Sequence, residues 1–316
     1  MLDAIRFTQG AVAKKDFVAA LTHFKIQGGR ITGTNGSLTL SSPIDVDIDV
    51  MPKAVDFIKA VQTCKDTITL HMTPAAKLAV KSGAFKANID CVTEGFPDSV
   101  PEGVLITPRG DLLVSLRKIF PFIAEDASRQ WARGILLRGQ SAFATNNVVL
   151  AEVWLGHEVP CEVNIPKTAV AEFLRIGEEP TQLQVSDNSL TFHYAGGRWL
   201  KTQLYSTEWP DLSKVLDLPA NPTPPPAGLW EALDSIKPFV NKTGAAYLLD
   251  GRVQTERVDE VGASAEVVGM SCDAVYHIDQ LLRLRDLVTH IDLTTYPAPS
   301  IFYGEGVRGA IIGMRL

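Results

Sequence analysis

Met51-Pro52-Lys53-Ala54-Val55-Asp56-Phe57-Ile58 returns, with one residue inserted, as Ile165-Pro166-Lys167-Thr168-Ala169-Val170-Ala171-Glu172-Phe173-Leu174. In both copies a strand-like run leads into Pro at the first or second helical position, where its missing N–H leaves no intrahelical bond unmade. Apolar residues then recur at helical spacing: Val55, Ile58 and Val61 with Phe57 beside them, and Val170, Phe173 and Leu174 in the second copy. The downstream segments repeat too. Thr67–Leu70, Lys77–Lys81 and Phe85–Asp90 come after the first helix; Gln182–Val185, Ser189–Tyr194 and Arg198–Leu204 come after the second. These short alternating runs, punctuated by Gly, Asn, Asp or Pro, predict antiparallel strands joined by hairpins. Each copy closes on an aromatic-Pro-Asp signature, Phe96-Pro97-Asp98 and Trp209-Pro210-Asp211. Pro52 and Pro166 stand 114 positions apart, Pro97 and Pro210 stand 113 apart, and two features holding nearly one offset indicate repeated domains.

Each unit also needs an earlier helix. Lys14–His23, Asp111–Phe122 and Leu229–Val240 are the candidates, and the last two share a form in which Pro121 and Pro238 close or kink the helix. A third unit is expected to place its second helix over Ala274–Leu287, with strands at His290–Thr294, Ser300–Tyr303 and Gly309–Met314. Linkers fall where the repeat requires them: Pro101–Pro108, and Leu218–Pro226 with Pro219, Pro222, Pro224, Pro225 and Pro226 as a stiff spacer. The expected fold is α+β, with three repeated domains, 1–105, 106–222 and 223–316, each two helices packed on antiparallel sheet.

Of 316 residues, 46% are hydrophobic and 21% charged, a globular rather than a disordered composition. No stretch approaches the ~18–20 consecutive apolar residues of a membrane span, and Met1–Arg6 opens without a basic and then apolar leader. Cys64, Cys91, Cys161 and Cys272 are far apart with no CxxC pair, which fits free thiols in a reducing cytoplasm.

The net charge of −6 argues against a protein that coats nucleic acid, but its distribution is uneven. Residues 14–25, 52–65 and 109–120 each carry +2, residues 167–175 carry +1, residues 229–242 are neutral and 273–286 carry −1. The candidate helices are therefore basic in an acidic chain. One layer of helices facing a polyanion, with Lys and Arg meeting phosphates rather than base edges, accounts for this; solvated helix surfaces are the plainer account.

Catalytic chemistry is not evident. Gly304-Glu305-Gly306-Val307-Arg308-Gly309 matches G-x-G-x-x-G but leads into strand-like Ala310–Met314 at the end of the sequence, so it reads as a hairpin turn. No G-x-x-x-x-G-K segment exists, and the six histidines show no metal-ligand spacing. Asp45, Asp47 and Asp49 alternate with Val46 and Ile48, which predicts a solvated sheet face. No metal site, cofactor or enzymatic activity is expected.

Taken together these segments resemble the bacterial DNA sliding clamp, the beta subunit of the replicative DNA polymerase holoenzyme, in a compact form that leaves a phage origin open. The resemblance is strongest across Gly134-Ile135-Leu136-Leu137, Phe143-Ala144-Thr145-Asn146, Val163-Asn164-Ile165-Pro166 and Trp209–Leu216, and extends weakly to the ending Ile312-Gly313-Met314-Arg315-Leu316. One segment departs: the family typically has Ala-Thr-Asp-Gly-His-Arg-Leu-Ala where this chain has Ala144-Thr145-Asn146-Asn147-Val148-Val149-Leu150-Ala151. The resemblance implies a head-to-tail homodimeric ring with inner helices and outer sheets that encircles double-stranded DNA. It implies a processivity factor whose partners are the replicative DNA polymerase and the clamp loader, in the cytoplasm and not at a membrane. DNA-facing candidates are Lys14, Lys15, Lys53, Lys59, Arg117, Lys118, Lys167 and Arg175. Matching the family's peptide pocket, between units two and three, brings forward Thr145, Asn147, Leu150, Pro210, Val215, Ala310, Ile312, Met314 and Arg315. Two alternatives stay open: a clamp-like structural or inhibitory protein, and a small hydrolase or nucleotide-binding enzyme.

Overall fold

The computed structural model describes every residue except Asp126, Ala127, Asp259, Glu260 and Leu316, so the last residue of the family-like ending lies outside the described chain. The α-helices are α1 (Leu2–Thr8), α2 (Ala54–Thr63), α3 (Leu112–Ile119), α4 (Lys167–Ile176), α5 (Ser213–Leu216), α6 (Leu229–Ile236) and α7 (Ile278–Leu282). Each longer helix buries one stripe: Ala54, Phe57, Ala60 and Val61 on α2, Ala169, Val170 and Phe173 on α4. Removing such a stripe from water supplies most of a short helix's stability. Val55, assigned to that stripe by spacing, faces outward and is exposed.

The opening helix of the first unit is α1, not Lys14–His23. α1 runs directly into a 3-10 turn at Gln9–Ala11, as α3 runs into Phe120–Phe122 and α6 into Lys237–Phe239. Pro121 and Pro238 sit inside those turns, where they end the α-helix. Lys14–His23 is instead the link from helix to first strand: exposed through Ala19, then a 3-10 turn at Ala19–Thr22. The link repeats in the second unit. Ala13 N–H donates to Leu21 O at 2.9 Å, and 111 positions later Ala124 N–H donates to Ala132 O at 3.0 Å. Phe17, within this stretch, is fully exposed.

Ala274–Leu287 is also corrected. Ala274–His277 is a strand paired with Ala245–Leu248, and only Ile278–Leu282 is helical. Ala274, Val275 and Tyr276 are buried in succession, which suits a strand covered on both faces and breaks any helical stripe. The strand predicted over Gly309–Met314 spans Val307–Ile311, and His290–Thr294 divides into a two-residue strand and a 3-10 turn begun by Asp292. Gly304–Gly309 forms the hairpin between Ser300–Gly304 and Val307–Ile311, with Gly306 at φ +65°. Asp45, Asp47 and Asp49 are exposed while Ile44 and Ile48 pack on the core, but no strand forms there.

Two large antiparallel sheets each join strands from different repeats. The seven-stranded sheet runs 25–27, 30–34, 38–43, 198–203, 189–194, 182–185, 104–106; the five-stranded sheet runs 134–145, 149–166, 307–311, 300–304, 290–291. Their junctions correspond: Thr39 faces Lys201 in one, and Leu150 faces Ala310 in the other. Smaller sheets hold 69–72, 78–82 and 85–89, and 264–266, 252–254, 245–249 and 274–277. The chain accordingly divides into two compact units, Met1–Pro108 with Thr168–Leu204, and Arg109–Lys167 with Tyr205–Leu316. The first contains an apolar cluster that includes Phe24, Ile26, Phe57, Leu78 and Val80. The second contains an apolar cluster of Leu136, Phe143, Leu150, Trp209, Leu212 and Leu216.

Candidate functional site

Within the second unit, strand 134–145 turns at Asn146–Val148 and returns through Leu150. The turn is held locally. Thr145 Oγ1 donates to Val149 O at 2.8 Å, Asn147 N–H donates to Thr145 Oγ1 at 3.1 Å, and Asn146 Oδ1 accepts from Val148 and Val149 N–H. Thr34-Asn35-Gly36-Ser37-Leu38 makes the same set of bonds in the first unit. Asn147 stands at φ +69° where that copy has Gly36 at φ +90°. Asn is among the few non-glycine residues that tolerate this region, so the two turns of this chain share one backbone path with different side chains.

Beside this turn, Trp209 is buried and lies 4.9 Å from the Trp131 ring, fixing the start of the Trp-Pro-Asp run. Asp211 then braces the turn into α5, accepting from Ser213 Oγ at 2.6 Å and Ser213 N–H at 3.1 Å, and these bonds hold its carboxyl below the usual range. Arg308 pins the other end of α5, donating to Asp217 at 3.1 Å and to Glu152, which also accepts from Ser141 at 2.6 Å.

These elements enclose a cleft of about 660 Å³. Seven of the nine pocket candidates line it: Thr145, Asn147, Leu150, Pro210, Val215, Ala310 and Ile312. Met314 and Arg315 do not, because the chain leaves the sheet after Ile311. Trp131, Arg129, Val148 and Leu212 also line it and were missed; no periodicity marks Trp131 or Arg129, which belong to the helix-to-strand link. The walls are largely apolar, with Arg129, Lys214 and Asp211 among the charged residues, and suit a short apolar peptide with polar flanks. At the matching junction of the first unit, Lys201 faces Thr39 as Ala310 faces Leu150. Lys201 Nζ there donates to Glu102 and to Val100 O, both at 2.8 Å, so an ion pair stands where the other junction has only a methyl group.

The basic candidates fall into two groups. Lys14, Lys15, Lys59 and Arg117 are exposed and have no ion pair among the described residues; the first two lie on the link rather than on a helix. The other four have partners. Lys53 lies 3.6 Å from Asp56, and Lys118 Nζ donates to Glu305 O at 3.0 Å. Lys167 pairs with Glu125 at 2.6 Å over the Phe120 ring, which holds the Glu125 carboxyl down. Arg175 donates to Glu172 and to the Arg6 and Phe7 carbonyls, covering the last turn of α1.

Among the described residues no group of three or more His, Cys, Asp or Glu could hold a metal ion. Burial pushes the Cys161 and Cys272 thiols up to about 11, away from nucleophilic chemistry.

The architecture is a sliding-clamp fold. It matches over 100% of this chain and 97% of the other in each of three solved structures. These are a DNA polymerase sliding clamp from Bacillus subtilis (TM-score 0.83, 15% identity), a beta sliding clamp from Caulobacter crescentus (0.83, 18%) and the DNA polymerase III subunit beta of Pseudomonas aeruginosa bound to griselimycin (0.82, 16%). No protein-family model matches the chain, and no curated protein sequence matches it.

Proposed function

We propose that this chain is a DNA sliding clamp: a non-enzymatic processivity factor that encircles duplex DNA and tethers a replicative polymerase. The observation that carries this reading is the full-length correspondence of a repeated fold with bacterial clamps. The three domains of the reading are 1–105, 106–222 and 223–316. Two copies would close head to tail, the sheet of 69–72, 78–82 and 85–89 meeting the sheet of 264–266, 252–254, 245–249 and 274–277. Both sheets end in open strand edges, and exposed Met72 and Val268 lie at or near them.

In such a ring the helices face DNA and the sheets face outward. Lys14, Lys15, Lys59 and Arg117 are the readiest phosphate ligands, with Lys53, Lys118, Lys167 and Arg175 behind them. A few exchangeable interactions allow sliding, since the ring's topology supplies retention and phosphates carry no sequence. The cleft of Leu150, Pro210, Val215 and Ile312 would receive linear peptides from polymerase and clamp loader, raising the polymerase's effective concentration at the primer terminus.

The test is topological. After loading onto a nicked circular plasmid, the protein should co-elute with DNA through gel filtration at moderate salt, and a restriction cut should release it. Equal retention on circular and linear DNA, or a monomer of 34.3 kDa by light scattering at micromolar concentration, would overturn the reading.

A further inference from the structure

Among the described residues six arginines are half-buried: Arg30, Arg138, Arg198, Arg252, Arg285 and Arg308. Five of them form an ion pair with a carboxylate. Arg30 forms none with any described residue, although burial disfavours its charge and lowers its pKa. A half-buried guanidinium with no counter-ion and an open nitrogen can donate a charge-assisted hydrogen bond to an anion.

Arg30 is nevertheless held firmly. Its Nε donates to Ser41 Oγ at 3.0 Å, one terminal nitrogen donates to Gly197 O at 2.9 Å, and the plane lies 6.0 Å from the Trp199 ring. The remaining nitrogen, Nη1, has no partner among the described residues. These groups line a cleft of about 400 Å³ whose far wall is Phe96 to Pro101. Lys25 lies 5.9 Å from the Phe96 ring and 3.3 Å from Asp98, a carboxylate whose side chain is 93% exposed. The lining therefore combines two cations and one anion with two aromatic rings.

We propose that this cleft, in the first unit, is a second peptide site, taking an acidic segment that carries an aromatic or aliphatic side chain. The acidic group would pair with Arg30 and Lys25, and its apolar neighbour would lie against Phe96 and Pro97. Strand alternation, together with the clamp reading, favours a protein over DNA. Ile31, Leu40 and Leu200 are turned to the core, so Arg30, Ser41 and Trp199 stand on the opposite sheet face. Under the clamp reading that is the outer face; the cleft itself does not depend on that reading.

The test uses the unloaded, full-length protein with 15N-labelled tryptophan, so it is unaffected by the outcome of the plasmid assay. The probes are the capped tripeptide Glu-Phe-Asp, its neutral counterpart Gln-Phe-Asn, inorganic phosphate and a short DNA duplex. The acidic peptide should move the Trp199 indole resonance and leave those of Trp131 and Trp209 in place. It should bind at least about tenfold tighter than the neutral peptide, equivalent to ~1.4 kcal/mol. Lys25→Gln, which leaves the core untouched, should weaken it several-fold. Arg30→Lys, which keeps the charge but not the planar fork, should weaken it further. Equal binding of the two peptides, shifts at Trp131 in place of Trp199, no effect of Lys25→Gln, or tighter binding of phosphate or duplex than of peptide would each overturn the proposal.

Discussion

The backbone N–H of Met314 donates to the carbonyl of Val275 at 2.7 Å, so the last described residues continue the edge of a neighbouring strand. Tyr296 Oη donates to Met314 O at 2.7 Å on the other side. Between them Gly313 passes so close to the Tyr296 ring that a Cβ would lie 2.4 Å from it. Met314 thus anchors the tail two residues beyond Ile312, which lines the cleft. Deleting 314–316 should weaken binding of a polymerase-derived peptide several-fold with assembly unchanged, and Gly313→Val should do the same by displacing the tail. Calorimetric titration with light scattering checks both; unaltered affinity would remove the tail from the site.

Ile312 is 42% exposed on the cleft wall, so a polar replacement there costs the fold little. Ile312→Asp should lower peptide affinity at least about tenfold, since it places a carboxylate against an apolar partner. Its melting temperature should match that of the parent. A stable variant that binds normally would place the peptide elsewhere.

Changing Lys14, Lys15, Lys59 and Arg117 together to Gln should leave folding intact, because exposed substitutions rarely exceed ~0.5 kcal/mol. The slope of log affinity against log salt should become shallower by about 0.9 for each phosphate no longer neutralised. The weakening should be equal for duplexes of different sequence, as measured by fluorescence anisotropy across a salt series. A sequence-dependent weakening would mean that bases are read.

Asp292 is 4% exposed and ties the proline-rich linker to the third repeat, accepting from Asn221 N–H at 2.7 Å and from Thr294 N–H and Oγ1 at 3.0 and 2.6 Å. Burial raises its pKa, but these bonds outweigh burial and the net shift is downward. A carboxylate with a depressed folded-state pKa stabilises fully above its unfolded value and loses that contribution as pH falls through the folded one. Asp292→Asn should therefore cost about 2–3 kcal/mol at neutral pH, and the cost should shrink as pH falls below the ordinary aspartate range. Denaturant titrations at several pH values give the comparison.

The sequence made the second helices and the hairpins legible because Pro52 and Pro166, with their aromatic-Pro-Asp partners, recur at one offset. It misplaced the first helix at Lys14–His23, a segment closed by a backbone bond from Ala13 to Leu21 and by a 3-10 turn at Ala19–Thr22. α1 went unread because seven residues give too short a window for periodicity. The cleft was found where the family resemblance supplied residues such as Leu150 and Pro210. It was missed at Trp131, whose place depends on packing against a tryptophan 78 positions away, a relationship that no local pattern encodes.

The two large sheets have a consequence for how the chain can be divided. The repeat is read from helix to aromatic-Pro-Asp, yet hydrogen bonding crosses from one repeat into the next, at Leu40 with Leu200 and at Leu150 with Ala310. The repeat in the sequence and the sheets that hold the chain together therefore do not share boundaries. Under the proposed three-domain division, a fragment cut at residue 105 would lose strand 198–203, leaving strand 38–43 with a bare edge prone to pair with other chains. Severing the linker at 218–226 would likewise bare strand 149–166. A gene fragment that respects the sequence boundaries should aggregate, and adding the complementary fragment during refolding should rescue it.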